Sequence, residues 1–354
     1  MKISNVASIV NTKIDASILT THTYISTECM LPNCGGIENC SSIPNGKVTG
    51  FDKNDILLSN IRPYFKKLWF STRSGGCSND VICLRVANRE CLPKYLYYAL
   101  CTDKFIDSFS ASSKGTKMPR GDKNALLTYE IPDRNIEDQL HIVDILGSID
   151  EKIENNRLLQ QGLIAYGLKI FENRSRQSKT DHSFGELFSF INGFSFKSSD
   201  YKETGKYKVI TIKNITDNGF NSDNADKIDY SDSFAKSRLS IGDILLTMTG
   251  EVGRVGIVDI DNALLNQRVL KVVGQSSFFT YFALLSNSNN IKTLAKGSVQ
   301  QNLGLKELSK YLIACDNVES YKQYDWIITK LLSISKENKS LNALKQLYLK
   351  KFFG

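Results

Sequence analysis

Apolar positions along this chain follow two different periods, and the two alternate twice. Over residues 142–170 the stripe reads Ile142, Ile145, Ile149, Lys152, Asn156, Leu159, Leu163, Tyr166 and Ile170. Over residues 324–352 it reads Tyr324, Ile327, Leu331, Ile334, Asn338, Leu341, Lys345, Tyr348 and Phe352. Steps of three and four residues are the heptad spacing of a helix with one continuous packing seam. Ahead of each stripe the pattern changes to short apolar runs, at 55–59 and 81–86, then at 207–212, 243–247 and 255–259. These runs predict strands, separated by turn dipeptides such as Asn45-Gly46, Gly75-Gly76 and Asn218-Gly219. Longer apolar stretches at 92–109 and 278–294 predict helices. All six prolines lie between Pro32 and Pro132, so turns in the second half rest on Gly, Asn and Asp.

The alternation is an internal repeat. Residues 3–11 align with 184–192 at an offset of 181, and Asp55-Ile56-Leu57-Leu58 recurs as Asp243-Ile244-Leu245-Leu246 at 188. Lys114-Gly115-Thr116 recurs as Lys296-Gly297-Ser298, and Tyr129 and Ile131 as Tyr311 and Ile313, each at 182. The two heptad stripes also share the offset 182, which aligns Asn156 with Asn338 and Tyr166 with Tyr348. Matches in one order at nearly one offset indicate two copies of one unit. A polar Asn in an otherwise apolar seam fixes register, because a slip strands a buried amide against aliphatic neighbours. Among the seam positions, Ile142, Ile149, Asn156, Leu163, Leu331, Asn338, Leu341 and Tyr348 are those expected at the contact between the helices. The expected organisation is α+β, with mixed domains at 1–133 and 179–317 and long helices within 134–178 and 318–354.

At 354 residues the chain is long enough for more than one core. Hydrophobic residues are 41% and charged residues 23%, which excludes a disordered or low-complexity chain. No apolar run approaches the ~18 residues of a membrane span, and residues 1–6 show no apolar leader. The expected location is the cytoplasm. Net charge is +8, divided as +4, −1, +1 and +4 over the four segments in order. That balance permits nucleic-acid binding without requiring it. Seven of eight cysteines lie in the first 101 residues, without the paired spacing of a zinc site. Free thiols, and no metal, are therefore expected.

Several catalytic classes lack their residues. There is no phosphate-binding Gly-rich loop followed by Lys-Ser/Thr, no Gly-x-Ser-x-Gly elbow, and no methyltransferase Asn/Asp-Pro-Pro-Tyr/Phe string. Arg62-Pro63-Tyr64-Phe65 comes nearest to the last and lacks its amide or acid and its second proline. The three histidines, His22, His141 and His182, are scattered. One nuclease-like string competes: Asp133, then Asp150 and Lys152, imitate the acid, acid and lysine of metal-dependent DNA endonucleases. Against it, Asp150 and Lys152 fall inside the heptad stripe rather than on strands. A coiled-coil scaffold with no DNA role is a weaker alternative.

The string Gln139-Leu140-His141-Ile142-Val143-Asp144-Ile145-Leu146-Gly147-Ser148-Ile149-Asp150-Glu151-Lys152-Ile153-Glu154-Asn155-Asn156 resembles the central helix of the DNA-specificity subunits of type I restriction-modification systems. Ser59-Asn60-Ile61-Arg62-Pro63-Tyr64 and Gly76-Cys77-Ser78-Asn79-Asp80-Val81 resemble a strand and a loop of that family's recognition domains. Lys296-Gly297-Ser298, followed by Leu303 and Leu308, resembles the end of the second such domain. The start of the second helix departs from the family, with Trp326 and the tyrosines Tyr321 and Tyr324 in place of a Gln-rich segment.

The resemblance implies two target-recognition domains separated by two long helices that form an antiparallel coiled coil, related by a pseudo-two-fold repeat. It implies double-stranded DNA with a bipartite target as ligand. Two modification (methyltransferase) subunits, and restriction (translocase/endonuclease) subunits where the system has them, are the implied partners. No catalytic residue and no cofactor are expected in this chain; S-adenosylmethionine, Mg and ATP belong to the partner subunits. The 28 residue steps from 142 to 170 give a helix of roughly 40 Å at ~1.5 Å per residue, about 12 base pairs at ~3.4 Å rise. Phosphates call for Lys and Arg, and base edges for Arg, Asn and Gln. The expected DNA-binding set in the first copy is Arg62, Tyr64, Lys66, Lys67, Lys114, Lys117, Arg120 and Lys123. In the second it is Thr247, Thr249, Arg254, Gln267, Arg268, Lys296, Ser298, Gln300, Gln301 and Asn302.

Overall fold

A computed structural model describes residues 1–113, 115, 118–297 and 301–354. The chain divides into two compact units, residues 1–153 with 341–354, and residues 154–340. Each is built on a four-stranded antiparallel sheet. In the first the order is Ala7–Ile9, Val81–Val86, Ile56–Ser59, Leu68–Phe70. In the second it is Ser189–Asn192, Val269–Val273, Ile244–Thr247, Val255–Ile257. Register repeats as well: Ser59 lies opposite Val81 and Thr247 opposite Val269, both partners shifted by 188.

The repeat extends to buried charge. Asp55 is 2% exposed. It accepts the backbone N–H of Asp52 at 2.7 Å and holds Arg85 through two bonds of 2.8 and 2.7 Å. Asp243 accepts the N–H of Ser240 at 2.8 Å and pairs with Lys271 at 2.7 Å. A carboxylate drawn out of water must be paired and hydrogen-bonded; both copies do this, with cations two places apart in the repeat, since the offset of 188 carries Arg85 onto Val273 and Cys83 onto Lys271. A second sheet in each unit contains one parallel pair. Tyr24–Ile25 runs beside Gly75–Cys77, and Tyr207–Ile210 beside Ala263–Leu265.

The expected strands are present, some shorter by one or two residues. The two expected helices are each broken in two. The first is Pro93–Leu100 followed by Asp103–Ala111. Between them the Thr102 hydroxyl donates to Ala99 O at 2.8 Å and accepts from Phe105 N–H, ending one helix and capping the next. The second is Ser277–Ser286 followed by Ser288–Thr293, with the Asn287 amide donating back to Ala283 O at 2.8 Å.

The long helices span Ile136–Gln177 and Asp325–Phe353. Within each unit their segments pack antiparallel. In the second unit the Asn156 amide donates to Asn338 Oδ1 and to Glu337 Oε2, both at 2.9 Å. Further along the first helix, Arg174 lies at 4.6 Å over the ring of Tyr321, in the 3-10 turn Glu319–Tyr324 that leads into the second helix. In the first unit Asp150 accepts from Lys345 Nζ at 2.6 Å and from Tyr98 Oη at 2.9 Å. There Ile142, Leu146, Leu349 and Phe353 share one core with the helix Pro93–Leu100.

The seam differs from expectation at alternate positions. Ile142, Ile149, Asn156, Leu163, Leu331 and Lys345 are buried, and Asn338, Leu341 and Tyr348 half-buried. Lys152, Leu159 and Tyr166 are exposed. Their neighbours Ile153, Gln160 and Gly167 take the inner places instead, as Leu146 does beside half-buried Ile145, so the first helix steps four then three. The reason is local at Gly167: a Cβ there would stand 2.1 Å from the Phe282 ring. Only a glycine lets the helix approach so closely, and Tyr166 turns outward as a result.

The cysteines also depart from expectation at one pair. Cys29 and Cys40, with Cα atoms 5.2 Å apart, are disulfide-bonded, a separation that a disulfide spans. Cys34, Cys77, Cys83, Cys91, Cys101 and Cys315 are free thiols. Burial pushes the Cys77 thiol up to about 12.

Lys345 is 7% exposed. Burial acts to lower its pKa, but Asp150 together with the neighbouring Cys101 and Cys34 outweighs it and the net shift is upward. The pair therefore contributes fully below the ordinary lysine range, and its contribution is lost as pH rises through the raised value. Asp150→Ala would leave an ammonium buried without its carboxylate and should destabilise the first unit by about 3 kcal/mol. Adding Lys345→Met should recover most of that loss. Urea unfolding in a Trp326→Phe background, which leaves Trp69 of the first unit as the only tryptophan, measures both.

Candidate nucleic-acid interface

In each unit three loops meet at one end of the main sheet, held by the same backbone bonds. Asn60 N–H donates to Asp80 O at 2.8 Å, and Met248 N–H to Arg268 O at 3.1 Å. Arg62 N–H donates to Pro119 O at 2.8 Å, and Gly250 N–H to Gln301 O at 2.9 Å. Gly121 N–H donates to Asn60 O at 3.1 Å, and Leu303 N–H to Met248 O at 2.8 Å. The loop after the inner strand closes alike: Val81 N–H to Ser78 O at 2.9 Å, Val269 N–H to Asn266 O at 3.0 Å. Even the capping side chains correspond, with Ser78 Oγ accepting from Asp80 N–H and Asn266 Oδ1 from Arg268 N–H. Arg62 and Gly250 are both left-handed, with φ of 48° and 70°.

On this frame the first unit gathers Arg62, Tyr64, Lys66, Lys67, Arg120 and Lys123. Tyr64 and Phe65 form an exposed ring pair with centroids 4.7 Å apart, on a turn flanked by left-handed Arg62 and Lys66. Lys66 pairs with Asp103, and Arg120 donates to Asp80 at 2.7 Å. Lys67 donates to Thr27 O at 2.7 Å, and burial lowers its pKa, so it serves the loop more than a ligand. Lys123 is exposed at the start of the helix Lys123–Thr128, whose N-terminus Asp122 caps.

The second unit brings Thr249, Gln267, Arg268, Lys296, Gln301 and Asn302 together. Thr249 bridges Asn302, and Asn302 bridges Lys296. Lys296 pairs with Glu307 at 3.1 Å. Among the described residues the Arg268 guanidinium has no acceptor. Two expected members are placed elsewhere. Thr247 is fully buried, its hydroxyl donating to Glu251 O and accepting from Arg254 N–H, so it shapes the turn and offers nothing to a ligand. Arg254 is clamped by Asp217 through two bonds of 2.9 Å, which raises its pKa and lowers that of Asp217. Lys114, Lys117, Ser298 and Gln300 lie outside the described residues.

Asn79 and Asp80 stand on the same rim, although residue type alone does not single them out. The offset of 188 that aligns Asp55 with Asp243 also carries Asp80 onto Arg268, and this was the signal available.

The nuclease constellation does not assemble. Asp150 lies on the long helix and is committed to Tyr98 and Lys345, Lys152 is exposed on that helix, and Asp133 is in an exposed loop. Among the described residues no three His, Cys, Asp or Glu side chains gather as metal ligands. Among the described residues no helix is long and apolar enough to cross a membrane.

Solved structures resemble the whole chain. The S subunit of the type I restriction-modification system from M. genitalium is 18% identical, covers 100% of this chain and 95% of its own, and overlays with a TM-score of 0.60. The HsdS subunit from Thermoanaerobacter tengcongensis is 17% identical over 100% of this chain and 95% of its own, with a TM-score of 0.39. A chain from a structure of type I R-M complex assembly and conformational transition is 16% identical over 100% and 97%, with a TM-score of 0.42. The family model described as type I restriction modification DNA specificity domain matches twice, at residues 12–163 and 179–346. With both units matched, the chain belongs to the type I restriction-modification DNA-specificity family.

Proposed function

We propose that this type I specificity subunit reads a bipartite duplex target, one half with each unit, while the helix pair sets the gap. The observation that carries this reading is the loop frame found twice with the same backbone bonds and different exposed side chains. One frame used twice gives two readers of like geometry and unlike preference. The chain supplies recognition and no chemistry. Methyl transfer belongs to two modification subunits carrying S-adenosylmethionine, and cleavage to an ATP- and Mg-dependent restriction subunit where one is present. The outer faces of the long helices offer apolar side chains for docking, among them Leu158 and Tyr166 on the first and Trp326 and Leu347 on the second, all more than half exposed.

The purified chain should bind duplex DNA with an affinity that falls as salt rises, since phosphate neutralisation releases counterions. It should not cut DNA with Mg present. Titrations across a salt series check the first, and prolonged incubation with plasmid checks the second; cleavage abolished by Asp150→Ala would overturn the reading.

Exchanging residues 1–133 for those of another family member should change one half of the methylated motif and leave the other half intact. Methylome sequencing reads this directly, and a change in both halves would defeat the two-reader scheme.

The gap should follow helix length. Four residues added after Gln160 and four after Ser333 lengthen each helix by ~6 Å at ~1.5 Å per residue. A four-residue insertion is a stutter that coiled coils accommodate. The methylated motif should keep both halves and gain one or two unspecified bases between them. Unchanged spacing in an active variant would show that the helices do not set the gap.

A further inference from the structure

The shared frame identifies which side chains are free to differ between the readers. Loops held by backbone bonds keep their shape whatever side chains they carry, so exposed positions on them can change without cost to the fold. Two such positions face one another across the loops. In the first unit they are Asp80 and Arg120, paired at 2.7 Å with side chains 34% and 59% exposed. The equivalents in the second unit, by the bonds of Asn60 and Met248 and of Arg62 and Gly250, are Arg268 and Asn302, both exposed. The cation thus changes places: it stands at the later position in the first unit and at the earlier one in the second.

We infer that Asp80 with Arg120, and Arg268 with Asn302, are the base-reading pairs of the two units. This rests on the DNA-recognition reading above. A carboxylate accepts from the cytosine amino group, a guanidinium donates bidentately to guanine, and an amide fits adenine. The first pair therefore presents an acceptor beside a forked donor, and the second a forked donor beside an amide. Each reads a different set of base edges from the same place on the frame. The ion pair in the first unit is solvated, so both of its charges cost little to re-partner on a base.

Selection of bound duplexes from a random pool by the full-length chain, followed by sequencing, tests this. The wild-type chain should enrich a bipartite motif; if it enriches none, the recognition reading itself fails. With Asp80→Arg and Arg120→Asn together, preference should change by about tenfold or more at one or two bases of one half, the discrimination of one good side chain–base pair. The other half should stay unchanged. Arg268→Asp with Asn302→Arg should do the same to the opposite half. Asp80→Asn alone, nearly isosteric, covers a double variant that fails to fold, and should relax preference in the same half as the Asp80/Arg120 variant. Wild-type preference in both halves overturns the inference and leaves the recognition reading standing. Loss of all enrichment by a folded variant overturns the inference too, and a change in both halves from one variant overturns it together with the two-reader scheme.

Discussion

The structure depends on the register of its two long helices, and one amide pair in the seam, buried Asn156 with half-buried Asn338, sets it. Asn156 sits at 3% exposure and meets Asn338 and Glu337 across the seam. A slip of one heptad along the second helix would set Asn156 opposite Leu331 or Lys345. Against Leu331 its amide would be buried without an acceptor, at about 1–3 kcal/mol. The Lys345, Asp150 and Tyr98 cluster adds a second lock, because a slip would also separate a buried ammonium from its carboxylate. Apolar positions alone tolerate such slips, since leucines and isoleucines repeat every turn.

The loop frames follow a different economy. Their bonds run from backbone to backbone, so shape is separated from side-chain identity at the rim. This lets Arg62 and Gly250, or Asp80 and Arg268, occupy equivalent places without disturbing the sheet beneath. The charged residues that are not interchangeable lie below the rim: Asp55 with Arg85 and Asp243 with Lys271 anchor the strand ends in both units. Fold and recognition therefore draw on different residues of one sheet.

Electrostatics at the rim is subtler than the charge count. Lys66, Arg120 and Lys296 each hold an exposed or half-exposed carboxylate. Exposed ion pairs are worth little, so phosphate can replace those carboxylates at small cost. Arg254 is held from two sides and Lys67 is turned onto the backbone carbonyl of Thr27. A lysine or arginine in a basic cluster is thus available where one solvated carboxylate holds it, and not where two carboxylates or a backbone carbonyl do.

The sequence by itself determined the duplicated plan, the strands flanking Asp55 and Asp243, the two long helices and the aligned Asn156 and Asn338. These are local or periodic signals: short apolar runs, turn dipeptides, heptads and a repeated offset. Tertiary structure alone decided which side of the heptad turned inward: Ile145 and Leu146 are both apolar, and at 159/160 and 166/167 the apolar Leu159 and Tyr166 are the residues that turned outward. The close packing of Gly167 on Phe282 settled it. Only tertiary structure removed Thr247 from the rim, joined Cys29 to Cys40, and gave Asp150 to Lys345 across 195 residues. Each of those outcomes hangs on which group arrives at bonding distance once the chain has folded, four residues on for Thr247, 11 for Cys29 and 195 for Asp150, and composition and spacing carry no information about that.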